Sequence, residues 1–199
     1  MASNAKTMKI KNYIIIICVL FTSAPIYIIG QGNTSVFRGI YDSQMRYFKD
    51  SLDSYSFYKQ IVDFGKKSRQ KLYEAHHINI STLKTCIILE GNSNAGGVYT
   101  GILFEDGKEI AYMHNPDKGW QFSFFKKSEF DSLSSFTGIG LVIINKVSSW
   151  DIGYINKQKH TVGGTGVSDG YSFIASRVSN KKNIPIIETI GFAQFNILY

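Results

Sequence analysis

The chain has 199 residues, 44% of them hydrophobic and 19% charged, with 22 lysines and arginines against 15 acidic residues and a formal net charge of +7. So much apolar content excludes an intrinsically disordered chain, and Lys6, Lys9 and Lys11 carry part of the charge surplus, leaving too mild an excess elsewhere to point to nucleic acid. Cysteine occurs only at positions 18 and 86, which excludes a scaffold built on many disulfides.

Residues 1–12 are basic with no acidic side chain, and residues 13–21 read YIIIICVLF. A basic lead followed by an uncharged apolar run has the form of a secretory signal. The following TSAPIYIIGQGN offers cleavage after Ala24, disfavoured by Pro25, or near Gly30, the preferred place. If the segment is retained, residues 13–30 are just long enough to serve as a signal anchor, though Thr22, Ser23 and Pro25 interrupt them. Both readings place residues 31–199 outside the cytoplasm as one exported α+β domain, with a helical part at 36–75 and a β-rich part at 83–199. Membrane contact is then expected only through residues 13–30.

In the stretch 36–64, Phe37, Tyr41, Met45, Phe48, Leu52, Tyr55 and Val62 recur at intervals of three, four or seven, the spacing of one helical face. Arg38, Asp42, Arg46 and Asp50 follow at four-residue steps on the opposite face, where opposite charges meet. Ser35 suits the start of this helix and Gly65 its end, with Lys66, Lys67, Arg69 and Lys71 near the negative pole of its dipole. A helix of about 29 residues would be roughly 44 Å long, more than a compact domain needs. It is therefore expected to bend, break or meet a partner chain, and an oligomer through the 36–64 helix is one outcome; its apolar stripe is expected to pack on a sheet.

Beyond residue 83 short β-prone runs alternate with glycine-rich turns. Residues 86–89 (CIIL) read as a strand buried on both faces that ends at EGNSNAGG. Residues 98–104 and 109–113 flank Glu105-Asp106-Gly107-Lys108, a hairpin turn. After the turn HNPDKG comes a strand at 120–125, then Ser128 and Asp131 as caps of a short helix through Leu133. Further strands are expected at 139–144, 171–178 and 184–190. With hairpins dominating, the sheet is expected to be mainly antiparallel.

The one match to a catalytic pattern is Gly166-Val167-Ser168-Asp169-Gly170, a G-x-S-x-G sequence. A nucleophile elbow needs a buried strand before the serine and a helix after it. Here the approach, residues 156–160, is polar, and the departure, YSFIASRV, alternates like a strand. The preferred reading is a glycine-rich turn; the alternative is a secreted serine hydrolase with Ser168 as nucleophile, His160 as base and Asp169 or Asp151 as orienter. Gly164-Thr165-Gly166 lacks the third glycine of a dinucleotide fingerprint, and EGNSNAGG lacks the Gly-Lys-Ser/Thr ending of a phosphate loop. His76, His77, His114 and Asp117 can be drawn as a metal set, but adjacent histidines point apart, so no metal and no cofactor is expected. Cys86, beside Ile87, Ile88 and Leu89, reads as an inert core thiol.

These features together describe an exported binding or structural protein of the cell envelope or extracellular space, with an unassigned protein or small-molecule ligand and no nucleic acid. A third reading, an outer-membrane β-barrel, rests on the apolar alternation of residues 191–199 ending in Tyr199. The shortness of several runs and the continuous apolar stretch at 139–144 weigh against it, because a barrel strand alternates between lipid and lumen.

Overall fold

The computed structural model describes residues 36–49, 55–77, 85–93, 97–105, 108–158, 170–181 and 184–195. Two helices come first, α1 at 36–49 and α2 at Tyr55–His76. Four strands follow as a meander: β1 (Thr85–Ser93), β2 (Tyr99–Glu105), β3 (Lys108–Asn115) and β4 (Gly119–Lys126). A 3-10 turn at Lys127–Glu129 leads into α3 (Phe130–Thr137), α4 (Leu141–Ser148) and α5 (Ile152–Gln158), and the hairpin of β5 (Gly170–Lys181) and β6 (Ile184–Phe195) completes the described chain. The fold is α+β around one six-stranded sheet of order β4-β3-β2-β1-β5-β6, and every neighbouring pair is antiparallel.

Strand alternation divides the core in two. Cys86 and Ile88 on β1, Tyr99 and Leu103 on β2, Ile110 and Tyr112 on β3, and Ile174 and Val178 on β5 share one face with Val36, Ile40 and Phe48 of α1 and Ile61, Val62 and Leu72 of α2. The other face carries Ile87, Leu89, Ile102, Phe104 and Phe173, packed with Leu133, Ile143, Val147 and Ile155 of α3–α5. These three helices carry the chain across that face, α3 touching β3 and β4, α4 touching β1 and α5 touching β6. Among the described residues the sheet is open, with β4 and β6 at its edges and helices on both sides.

Four expectations are corrected. The stretch 36–64, expected to bend, break or meet a partner chain, forms two helices among the described residues, but Gly65, expected at a helix end, lies inside α2. A Cβ at Gly65 would stand 2.9 Å from a carboxylate oxygen of Glu90 and 3.0 Å from a guanidinium nitrogen of Arg69, so the missing side chain serves close approach to the sheet. Residues 139–144 are not a strand. Gly138, with φ of 70°, caps α3, Ile139 fills the link, and Ile143, Ile144 and Val147 point inward at helical spacing from α4. Strand β1 does not end at Leu89 but runs to Ser93, since its ladder with β5 continues to Ser93↔Tyr171. The expected cap of a short helix by Ser128 and Asp131 is replaced by Glu129, whose carboxylate accepts the Lys126 N–H at 2.8 Å at the start of the 3-10 turn. Helix α3 itself begins without a side-chain cap.

The turns follow the sequence closely. Asn115 Oδ1 accepts the Asp117 N–H at 2.8 Å, and Gly119 with φ of 70° completes the β3–β4 turn. Residues 106 and 107, the expected tips of the β2–β3 hairpin, lie outside the described residues, as do the leader and the last residues of the chain.

Gly101 stands opposite Tyr112 across the β2–β3 pair, and a Cβ there would run into the Tyr112 ring. Replacing Gly101 by Ala is expected to destabilise the fold by about 2 kcal/mol through overpacking, measured by chemical denaturation with an unchanged slope.

Candidate functional site

Two places on the α1–α2 side of the sheet hold concentrated polar chemistry, and they differ in access. The first is buried. Arg69 of α2 sends Nη1 to both oxygens of Glu90 on β1, at 2.6 and 2.5 Å. Gln44 of α1 donates from Nε2 to the same carboxylate at 2.9 Å and to Ser176 Oγ on β5 at 3.1 Å. The Tyr112 hydroxyl donates to Glu90 at 3.3 Å, and Ser68 of α2 shares a 3.0 Å hydrogen bond with the Tyr99 hydroxyl. Gln44, Ser68, Arg69, Glu90, Tyr99 and Ser176 are all 2% exposed or less, so no solute reaches this centre.

The local sequence explains how a charged pair comes to lie there. On α2, Ile61, Gly65, Ser68, Arg69 and Leu72 fall on one helical face, which places Arg69 in the stripe turned to the sheet. On β1, Glu90 follows Cys86 and Ile88 in strict alternation and so faces α2. Gly101 and Ile174 lie beside it on β2 and β5, and Gly101 leaves room for the Tyr112 ring. Among the described residues, Arg69 Nε and Nη2 and Gln44 Oε1 find no hydrogen-bond partner. Burial pushes the hydroxyls of Tyr99 and Tyr112 well above the ordinary tyrosine range, and the Glu90 charge pushes the same way.

The second place is an open groove of about 960 Å³ between α1 and α2, on the positions of both helices turned away from the sheet. Phe37 and Tyr41 form its apolar wall, half-buried against the core. Arg38, Lys66, Lys67 and Lys71 bring positive charge, and Asp42, Asp63 and Gln70 complete the lining. The acids are already engaged. Asp63 takes Lys59 at 2.7 Å and the Tyr41 hydroxyl at 3.3 Å, and Asp42 lies 3.8 Å from Arg38. Lys71 pairs with Glu74 at 2.8 Å. Lys66 and Lys67 have no ion pair among the described residues; their ammonium groups stand 5.2 Å from the Tyr41 ring centre and 6.0 Å from that of Phe64.

The residues singled out for catalysis, Ser168, His160 and Asp169, lie outside the described residues, so the geometry brings nothing to them. Asp151, the alternative orienter, caps α5 by accepting the Tyr154 N–H at 3.0 Å and pairs with Lys146 at 2.8 Å. Hydrogen bonds from Lys146 and the Tyr154 amide lower its pKa. His76 sets its ring on the edges of Phe122 and Phe124, while His114 packs with Phe64 and Trp120. The His77 ring meets that of Tyr73, and Asp117 sits in the β3–β4 turn. Cys86 is buried as expected, and desolvation pushes its thiol up to about 12, far from the range of a nucleophile.

Sequence reasoning grouped Lys66, Lys67, Arg69 and Lys71 as one basic helix end, and the structure separates them: three rim the groove and Arg69 is in the core. The signal was the register of Arg69 with Gly65 and Leu72, which marks the inward face. Comparison of the chain with protein-family models, curated proteins and solved structures returns no match.

Arg69→Ala is expected to cost about 3–5 kcal/mol, because Glu90 is then left buried without its cation, whereas Arg69→Met combined with Glu90→Leu recovers most of that loss. Denaturation of the Arg69→Ala variant and of the double variant checks this. A second expectation concerns alkali. Tyr99 and Tyr112 keep their protons in the fold while an unfolded tyrosine loses its own near pH 10, so their contribution is fully present below about pH 10 and falls above it. Tyr99→Phe should flatten the fall in stability between about pH 10 and 12.

Proposed function

We propose that the domain is an exported binding module of the cell envelope or extracellular space, and that it takes its ligand in the groove between α1 and α2. The groove itself carries the reading: it has the size of a small-molecule site, an aromatic wall, and cations that the fold does not consume. The buried Arg69–Glu90 centre beneath it holds both helices to the sheet and so gives the groove a rigid floor. Export rests on the basic and apolar order of residues 1–21.

Cell fractionation with N-terminal sequencing tests the compartment. The protein is expected outside the cytoplasm, beginning near Gln31 or with its leader intact as an anchor; folded protein confined to the cytosol overturns export. A thermal-shift screen of small molecules tests the groove. Its hits are expected to weaken in Gln70→Trp, which narrows the groove from an exposed position, and hits that keep their full strength there place the ligand elsewhere.

A further inference from the structure

We infer that the groove selects a small amphiphilic anion, an apolar or aromatic body carrying a phosphate or carboxylate head. This rests on the groove reading above and adds the chemistry of the ligand. Two halves of the site support it. The Phe37 and Tyr41 wall offers apolar surface of the kind that holds a hydrophobic body, and at about 960 Å³ the space far exceeds what a bare phosphate or sulfate fills. Four cationic side chains line the same space, and its acidic residues are held by neighbours, Asp63 by Lys59 and Asp42 by Arg38.

Lys66 and Lys67 are the head-group ligands on this reading. Each ammonium group is poised over an aromatic ring instead of a carboxylate, so an arriving anion gains a charge-assisted hydrogen bond without first breaking an ion pair. Both lysines line the groove; Lys66 stands over Tyr41, a residue of the groove wall, and Lys67 over Phe64 of its own helix. Arg38 on the facing wall stands 3.8 Å from Asp42, so that pair adds no net charge and the surplus rests on the lysines. A cationic ligand is disfavoured by the same count, and a neutral one leaves the lysines unused.

The test uses 2-naphthyl phosphate as probe, followed by its fluorescence on the full-length protein, with 2-naphthol and inorganic phosphate as companions. Binding of 2-naphthyl phosphate is expected to be at least about ten-fold tighter than that of either companion and to weaken with salt. Lys66→Gln with Lys67→Gln should lose about ten-fold or more in affinity while leaving the melting temperature unchanged, since both side chains are exposed. Equal binding of 2-naphthol, weakened in Gln70→Trp, overturns the anionic class and keeps the groove. Failure of 2-naphthyl phosphate to bind, or full affinity in the double lysine variant, overturns the inference, and hits of other chemistry weakened in Gln70→Trp then still keep the groove. Sedimentation with phosphatidylglycerol vesicles but no response to 2-naphthyl phosphate would overturn it in favour of a lipid surface.

Discussion

The contact between Arg69 and Glu90 decides how the helices lie on the sheet. A guanidinium and a carboxylate at 2.5 Å in an interior closed to water tolerate little displacement, because either charge left alone there costs several kcal/mol. Around this pair the other choices follow. Gly65 allows α2 to come close, Gly101 leaves space for the Tyr112 ring, and Gln44 ties α1 to the same carboxylate. A turn of α2 by one residue would bring an exposed neighbour such as Lys66 or Gln70 toward the core opposite no partner. Such a pair need not add net stability over an apolar replacement; what it supplies is a single permitted register.

The two faces of the sheet solve burial differently. Under α3, α4 and α5 the packing is largely aliphatic and aromatic, with Phe173 lying over Gly91 and against Phe192. Under α1 and α2 a polar cluster interrupts the apolar surface at the centre of the sheet, and the apolar residues ring it. Glu109 shows what happens where a carboxylate on the sheet finds less help. One of its oxygens is buried and without a partner among the described residues, and burial raises its pKa against the pull of Lys127.

Much of this architecture is legible in the residues. The β3–β4 turn announces itself through Asn115 and Gly119, and the alternation of β1 and β5 assigns each side chain its face. The continuous apolar run at 139–144 misleads because four-residue windows do not separate a buried strand from the inward face of a short helix; only Gly138 and Gly140, bracketing Ile139, hint at a helical break and restart. The length of the first helical stretch is misread for a related reason, since spacing of apolar residues persists across the gap between α1 and α2. The groove was out of reach for local reading, because its walls come from positions 37–42 and 63–71, and no rule of periodicity says that two outer faces will enclose a space.

The order of elements along the chain has a kinetic consequence. Both helices that carry the groove are made first, yet their anchors come later: Gln44 waits for Glu90, 46 positions on, and for Ser176, 132 positions on. Ser43 likewise meets Thr189 only across 146 residues. Until β5 has joined β1, α1 has apolar surface and an amide with nothing to engage, so its docking closes some of the longest loops in the molecule. Long loop closure slows folding. Docking of α1 on the sheet is therefore expected to be a late step of folding.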